Sequence, residues 1–150
     1  LDGKVAFDYV MKAMGFLPSR IFIFGRSIGS TVATHLAQNK NIAGLILVSP
    51  LSSARDHASF MGLGFAKPFV GGAFENSQKI KHVKAPLLVI HGSRDRIIPV
   101  DLGQKVFDSA ISPKSFHEIK GAGHNNLSNQ FAKSYWTTIS VFLKRFSNNR

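Results

Sequence analysis

Two spacings of apolar side chains alternate along the chain: short continuous runs, and sparser repeats every three or four positions. The continuous runs are RIFIFG (20–25), AGLILVSP (43–50) and APLLVIHG (85–92). Runs of this kind suit strands covered on both faces, as in a parallel sheet. KSFHEIK (114–120) alternates instead and predicts a fourth strand. Helical spacing appears first in 4–14, where Val5, Phe7, Val10, Met11 and Met14 recur and Gly15 supplies a stop. It returns in 28–38, through Ile28, Val32, Ala33, Leu36 and Ala37, then in 100–110 and in the long amphipathic stretch 129–146. Residues 51–84 follow neither rhythm. They are rich in Phe and Gly and predict loops and short helices, with no internal repeat anywhere in the chain.

Strands alternating with helices predict βαβ units and therefore an α/β fold, a mainly parallel sheet flanked by helices. A chain of 150 residues fits one such domain with a substantial core. In sheets of this type, functional groups gather beyond the carboxyl ends of the strands. That rule locates any site before its residues are known.

Composition narrows the function classes. Apolar residues make up 44% and charged residues 18%, the balance of a globular protein rather than a disordered one. No cysteine is present, which removes disulfides, thiol nucleophiles and thiolate metal sites, and is compatible with a reducing compartment. A cytoplasmic location is the expectation, with membrane association through a segment outside this sequence. The formal charge is +11, from 19 Lys and Arg against 8 Asp and Glu. The cations are scattered, densest at Lys79, Lys81 and Lys84 and again at Lys144, Arg145 and Arg150. No zinc-ligand spacing or aromatic RNA-binding pattern accompanies them, so a solvated basic surface with weak attraction to anionic membrane is expected, and no nucleic acid. No apolar run is long enough to span a bilayer; the nearest, 58–74, is broken by Lys67, Pro68 and several glycines.

The chemistry concentrates in three short motifs. GRSIG (25–29) stands between a predicted strand and a predicted helix and matches G-x-S-x-G. At so sharp a corner, glycines two before and two after the turn relieve crowding, and the corner residue takes strained angles that push its hydroxyl outward. The amide of Ile28, at the start of the following helix, then faces an oxyanion formed at Ser27. A serine hydroxyl needs a base, and the base needs an acid, in the chain order Ser, Asp or Glu, His for this class of turn. Asp95 follows the third strand in HGSRDRIIP, and His124 follows the fourth in GAGHNN. All three placements fall on the predicted functional rim. No metal and no cofactor is required.

These residues carry a resemblance. GRSIGS, SPLSS, HGSRDRIIP and GAGHNN resemble the corresponding motifs of the α/β-hydrolase superfamily, from about Arg20 to Phe146. Within it they are most similar to the hydrolase-domain proteins that include protein depalmitoylases and lysophospholipid lipases. The resemblance implies Ser27 as nucleophile, Asp95 as acid and His124 as base, in the C-terminal part of a hydrolase domain covering 1–150. It also implies that the early strands are missing, together with the loop bearing a second oxyanion amide. That leaves the 21–24 strand unpaired on one side. The segment 51–84 would then be a cap over the site. The branch follows its histidine with Asn-Asp, whereas this chain has Asn125 and Asn126.

Several residues have competing readings. Asp101 rivals Asp95 as the acid, though it also suits a helix start. Asp56 and His57 form a tempting adjacent pair, but neighbours seldom face each other. His35, His82 and His117 read as structural, His91 as a residue standing behind the site, and Arg26 as a local anchor. Phe60, Phe65, Phe69 and Phe74 fit either core packing or an apolar wall for an acyl chain. The expected activity is hydrolysis of an acyl-lipid or acyl-protein ester or thioester. A peptidase of the same superfamily and a non-catalytic binding scaffold are the alternatives.

Overall fold

A computed structural model describes residues 2–66 and 74–147. Four strands, β1 (Phe22–Arg26), β2 (Gly44–Val48), β3 (Leu87–Gly92) and β4 (Lys114–Ile119), form one sheet in sequential order with every pair parallel. Helices α1 (Asp2–Lys12), α2 (Gly29–Ala37), α3 (Ala54–Phe60), the one-turn α4 (Asn76–Lys79), α5 (Val100–Ser109) and α6 (Ala132–Ser147) precede, connect and follow them.

Two-residue periodicity divides the core into two layers. Leu45 and Leu47 of β2, with Leu87 and Val89 of β3, pack against Phe7 of α1, Ala33 and Ala37 of α2, and Val106 of α5. Their alternates Ile46, Val48, Leu88 and Ile90 pack against Tyr135, Ile139 and Phe142 of α6. Every residue of β2 and β3 is buried. The two strands with continuous apolar runs in the centre of the sheet thus have the two-sided cover that their sequences predict.

β1 departs from that expectation. Only alternate residues, Ile23 and Gly25, are buried, while Phe24 is 49% exposed and Phe22 meets the ring of Phe142 edge-on. The cause is position: β1 is the outermost strand, and its free flank has no strand neighbour among the described residues. β4 is the opposite edge, and most of its residues remain in partial or full contact with solvent.

α2 buries only part of its apolar spacing, keeping Ala33 and Ala37 inside and Leu36 against the core. It buries Ser30, Ala33, Thr34 and Ala37, a stripe of small side chains, and leaves Val32 54% exposed. Close approach to β1 selects that stripe. A Cβ on Gly25 would lie 2.5 Å from the Ala33 Cβ and 2.8 Å from the Ser30 Cα, so only a small face fits over this strand end.

Candidate active site

Ser27 directly follows β1 and takes φ 52°, the left-handed region that non-glycine residues rarely occupy. Its N–H donates to the Val48 carbonyl at 2.8 Å, and its own carbonyl accepts from the Ser30 N–H at 3.0 Å. The strained corner is therefore held from both sides, by the neighbouring strand and by the first turn of α2. Ile28 is 60% exposed, and its N–H donates to no acceptor among the described residues. The two glycines of the motif prove unequal. Gly25 is enclosed, whereas a Cβ on Gly29 would meet nothing within 4 Å, so only the first relieves crowding.

The loops after β3 and β4 bring the other two motifs to this corner. His124 Nε2 lies 3.0 Å from Ser27 Oγ, and its Nδ1 lies 2.7 Å from Asp95 Oδ2. Asp95 and His124 are buried, whereas Ser27 keeps partial exposure at the rim. The second oxygen of Asp95, Oδ1, accepts the N–H groups of Ile97 at 3.0 Å and Ile98 at 2.8 Å. Asp101 lies instead in the first turn of α5.

Two imidazoles brace the acid's turn. His91, fully buried at the end of β3, donates from Nε2 to the Ile98 carbonyl at 2.8 Å, with that nitrogen 3.5 Å from Asp95 Oδ2. Gly103 of α5 makes room for this ring, because a Cβ there would lie 2.2 Å from His91 Nδ1. His57 donates from Nε2 to the Ile97 carbonyl at 2.8 Å. Asp56 faces elsewhere, accepting from Ser52 Oγ and from Lys105 Nζ at 2.8 and 2.9 Å. The adjacent pair is no dyad: each member serves a different contact.

Burial alone would push the Asp95 carboxyl up. Hydrogen bonds from His91, the Ile98 N–H and His124, with the charge His124 carries when protonated, outweigh it and hold the group far below the usual carboxylate range. Asp56 is also lowered, its partial burial outweighed by the bonds from Lys105, Ser52 and Ser53. The consequence for stability has a definite sign. A carboxyl whose folded value is depressed contributes stability that is complete above its unfolded value of about 4 and is lost as pH falls towards the folded value. The urea midpoint is expected to drop between about pH 5 and pH 3. Asp95→Asn should flatten part of that drop, and an unchanged profile would remove Asp95 from the linkage.

The second asparagine of GAGHNN shapes the base's loop. Asn126 Oδ1 accepts the Gly123 N–H at 2.8 Å, closing the turn around His124. A carboxylate oxygen and an amide oxygen perform this task alike, so the Asn-Asn departure leaves the turn intact. Asn125 Oδ1 accepts from Arg26, which also reaches the His124 carbonyl. Arg26 is thus not a local anchor. Its contacts cross 98 and 99 positions of sequence, a pairing invisible to any reading of local spacing.

Phe60 and Phe65 are 50% and 77% exposed, so neither packs into the core. Phe74 is 39% exposed, and Phe69 lies outside the described residues. His35 contacts Gln38, and His117 contacts Ser134, both away from the Ser27 corner. Among the described residues no three His, Asp or Glu side chains are placed to hold a metal ion, and no helix is long and apolar enough to cross a membrane.

A parallel sheet wound in this order, with a strained serine after the first strand and an aspartate and a histidine brought to it from beyond the third and fourth, defines an α/β-hydrolase fold. Comparison with known proteins agrees. Human α/β hydrolase domain-containing protein 17B is 34% identical over 129 residues, 84% of this chain and 43% of that protein. The lysophosphatidylserine lipase ABHD12 of Macaca fascicularis is 30% identical over 138 residues, 79% of this chain and 34% of that protein. An esterase of Pyrococcus furiosus superposes with a TM-score of 0.77 at 23% identity, over 99% of this chain and 62% of that one. No family model matches the chain. The chain belongs to the α/β-hydrolase superfamily, and it spans less than half the length of these two curated relatives.

Proposed function

We propose that this chain carries the reactive centre of a serine hydrolase that cleaves an ester or thioester of an acyl lipid or acyl protein. The observation that carries the reading is the continuous hydrogen-bonded line from Ser27 through His124 to Asp95. In this scheme Ser27 Oγ attacks the carbonyl carbon while His124 Nε2 accepts the hydroxyl proton. The Ile28 N–H donates to the oxyanion at the positive end of α2. Collapse of the tetrahedral adduct breaks the bond to the leaving group, which departs with the proton held by His124. Water then attacks the acyl-serine carbonyl while giving a proton to His124, and collapse of this second adduct breaks the bond to Ser27 Oγ, which takes that proton back from His124 as the acid leaves. Asp95 keeps the imidazole in the tautomer whose Nε2 is free to accept, and stabilises its charge when protonated.

The acyl substrate class is supported by the names of the lipase and esterase relatives, by the exposed Phe60 and Phe65 on the segment after β2, and by the basic surface. Each acyl methylene buried against such side chains contributes about 0.8 kcal/mol. In the same reading, residues 51–66 of the predicted cap segment cover the site, residues 67–73 lie outside the described residues, Ile80 and Val83 belong to the core instead, and the surface has weak affinity for anionic membrane. A fluorophosphonate probe is expected to label the chain and to lose its target in Ser27→Ala; labelling that survives the substitution overturns the proposal. p-Nitrophenyl esters of increasing length should be turned over faster than the acetate, and acetate preference would remove the acyl-lipid assignment. Short peptide amides cleaved faster than esters would favour the peptidase alternative.

A further inference from the structure

Within the hydrolase reading above, we infer that Arg26 is a positioning residue that holds the base in register with the nucleophile. Its Nη2 donates to the His124 carbonyl at 2.7 Å and to Asn125 Oδ1 at 2.9 Å. Arg26 immediately precedes Ser27, and the carbonyl it holds belongs to His124 itself. One side chain therefore ties the backbone that carries the nucleophile to the backbone that carries the base.

The other ties of the 120–127 loop run elsewhere. The Arg94 N–H donates to the Ala122 carbonyl at 2.8 Å, and the Gly121 N–H donates to Ser93 Oγ at 2.8 Å. Both join the base's loop to the acid's loop and set His124 against Asp95. Neither controls the 3.0 Å gap between His124 Nε2 and Ser27 Oγ, across which the proton must pass. Among the described residues, Arg26 supplies the side-chain bridge that spans this second relationship. A guanidinium suits the task, since its donors are fixed in a plane and remain charged at any working pH, which strengthens bonds to neutral oxygens.

Arg26 is itself exposed and belongs to neither apolar core. Removing it therefore leaves the apolar packing intact and takes away only the tie to the base's loop. A misplacement of about 1 Å in a reacting pair costs about 10²-fold in rate.

The test compares Arg26→Met, Arg26→Lys and Asn125→Ala with Ser27→Ala, using a p-nitrophenyl ester. Arg26→Met is expected to lower kcat about 10²-fold with KM unchanged and the chain still folded at the assay temperature. Arg26→Lys, which keeps one charged donor, should recover part of the loss. Asn125→Ala should cost less than Arg26→Met, because the arm to the His124 carbonyl remains. A readout independent of turnover is NMR of the full chain: in Arg26→Met the backbone amides of His124 and Asn125 should broaden or shift, while the imidazole proton shared with Asp95 persists. Unchanged kcat, a loss that tracks melting temperature, failure of Lys to recover activity, or unmoved amide signals would each overturn the inference. Full activity in Ser27→Ala would instead overturn the hydrolase reading and leave the amide result to decide the role of the Arg26 tie.

Discussion

Asp95→Asn is expected to lower kcat for ester hydrolysis about 10⁴-fold while leaving the chain folded. The substituted amide has one oxygen and one NH2 group, and the surrounding turn decides which faces His124. The Ile97 and Ile98 N–H groups both point at the position of Oδ1, at 3.0 and 2.8 Å, and only an oxygen satisfies them. The NH2 group is thereby driven to the position of Oδ2, 2.7 Å from His124 Nδ1. A donor there obliges Nδ1 to accept, which places the imidazole proton on Nε2, the nitrogen that receives the Ser27 proton in the proposed mechanism. The base is then blocked by its tautomer rather than by distance. Steady-state kinetics should show the loss in kcat with little change in KM. Retention of more than about a tenth of wild-type kcat would separate Asp95 from the chemistry.

Gly25→Ala is expected to destabilise the fold by about 3 kcal/mol or more, a large part of the 5–15 kcal/mol typical of a domain. The added methyl would lie 2.5 Å from the Ala33 Cβ, 2.8 Å from the Gly29 carbonyl oxygen and 2.8 Å from the Ser30 Cα. Two of these atoms are backbone, and the third has no rotamer by which to withdraw. α2 must therefore lift from β1, and Ser27 and the Ile28 N–H move with it. Ala33→Gly relieves only the shortest contact, so the double variant should remain well below wild type. Gly29→Ala is the control: open space surrounds that position, and its stability should stay within about 0.5 kcal/mol of wild type. Urea denaturation of the four proteins checks the series, and equal midpoints for Gly25→Ala and Gly29→Ala would refute the crowding argument.

The meeting of Ser27, Asp95 and His124 at one corner was legible because each sits in a short motif just past a strand. β2 and β3 were legible because apolar residues without alternation leave no solvent face. RIFIFG reads the same way, yet β1 is covered on one side only, since a local run carries no information about the number of neighbouring strands. The apolar spacing of α2 was legible only in part, since Ala33 and Ala37 are buried and Leu36 packs against the core while Ile28 and Val32 are exposed. Ile28 and Val32 are larger, but the close approach at Gly25 is made by Ser30 and Ala33, and that approach exists only once helix and strand are packed. The partners of Arg26, His57 and His91 were hidden because each grips a carbonyl oxygen, a group every residue possesses and no spacing can distinguish.

The free flank of β1 and the basic surface have a joint consequence. An open row of strand amides and carbonyls invites a second chain to zip alongside. Eleven net positive charges oppose that approach through mutual repulsion. The repulsion reaches about 30 Å at 0.01 M salt but only about 3 Å at 1 M. Copies of this chain are therefore expected to stay apart longer in dilute buffer than in concentrated salt, where the edges can meet, and light scattering across a salt series would show the difference.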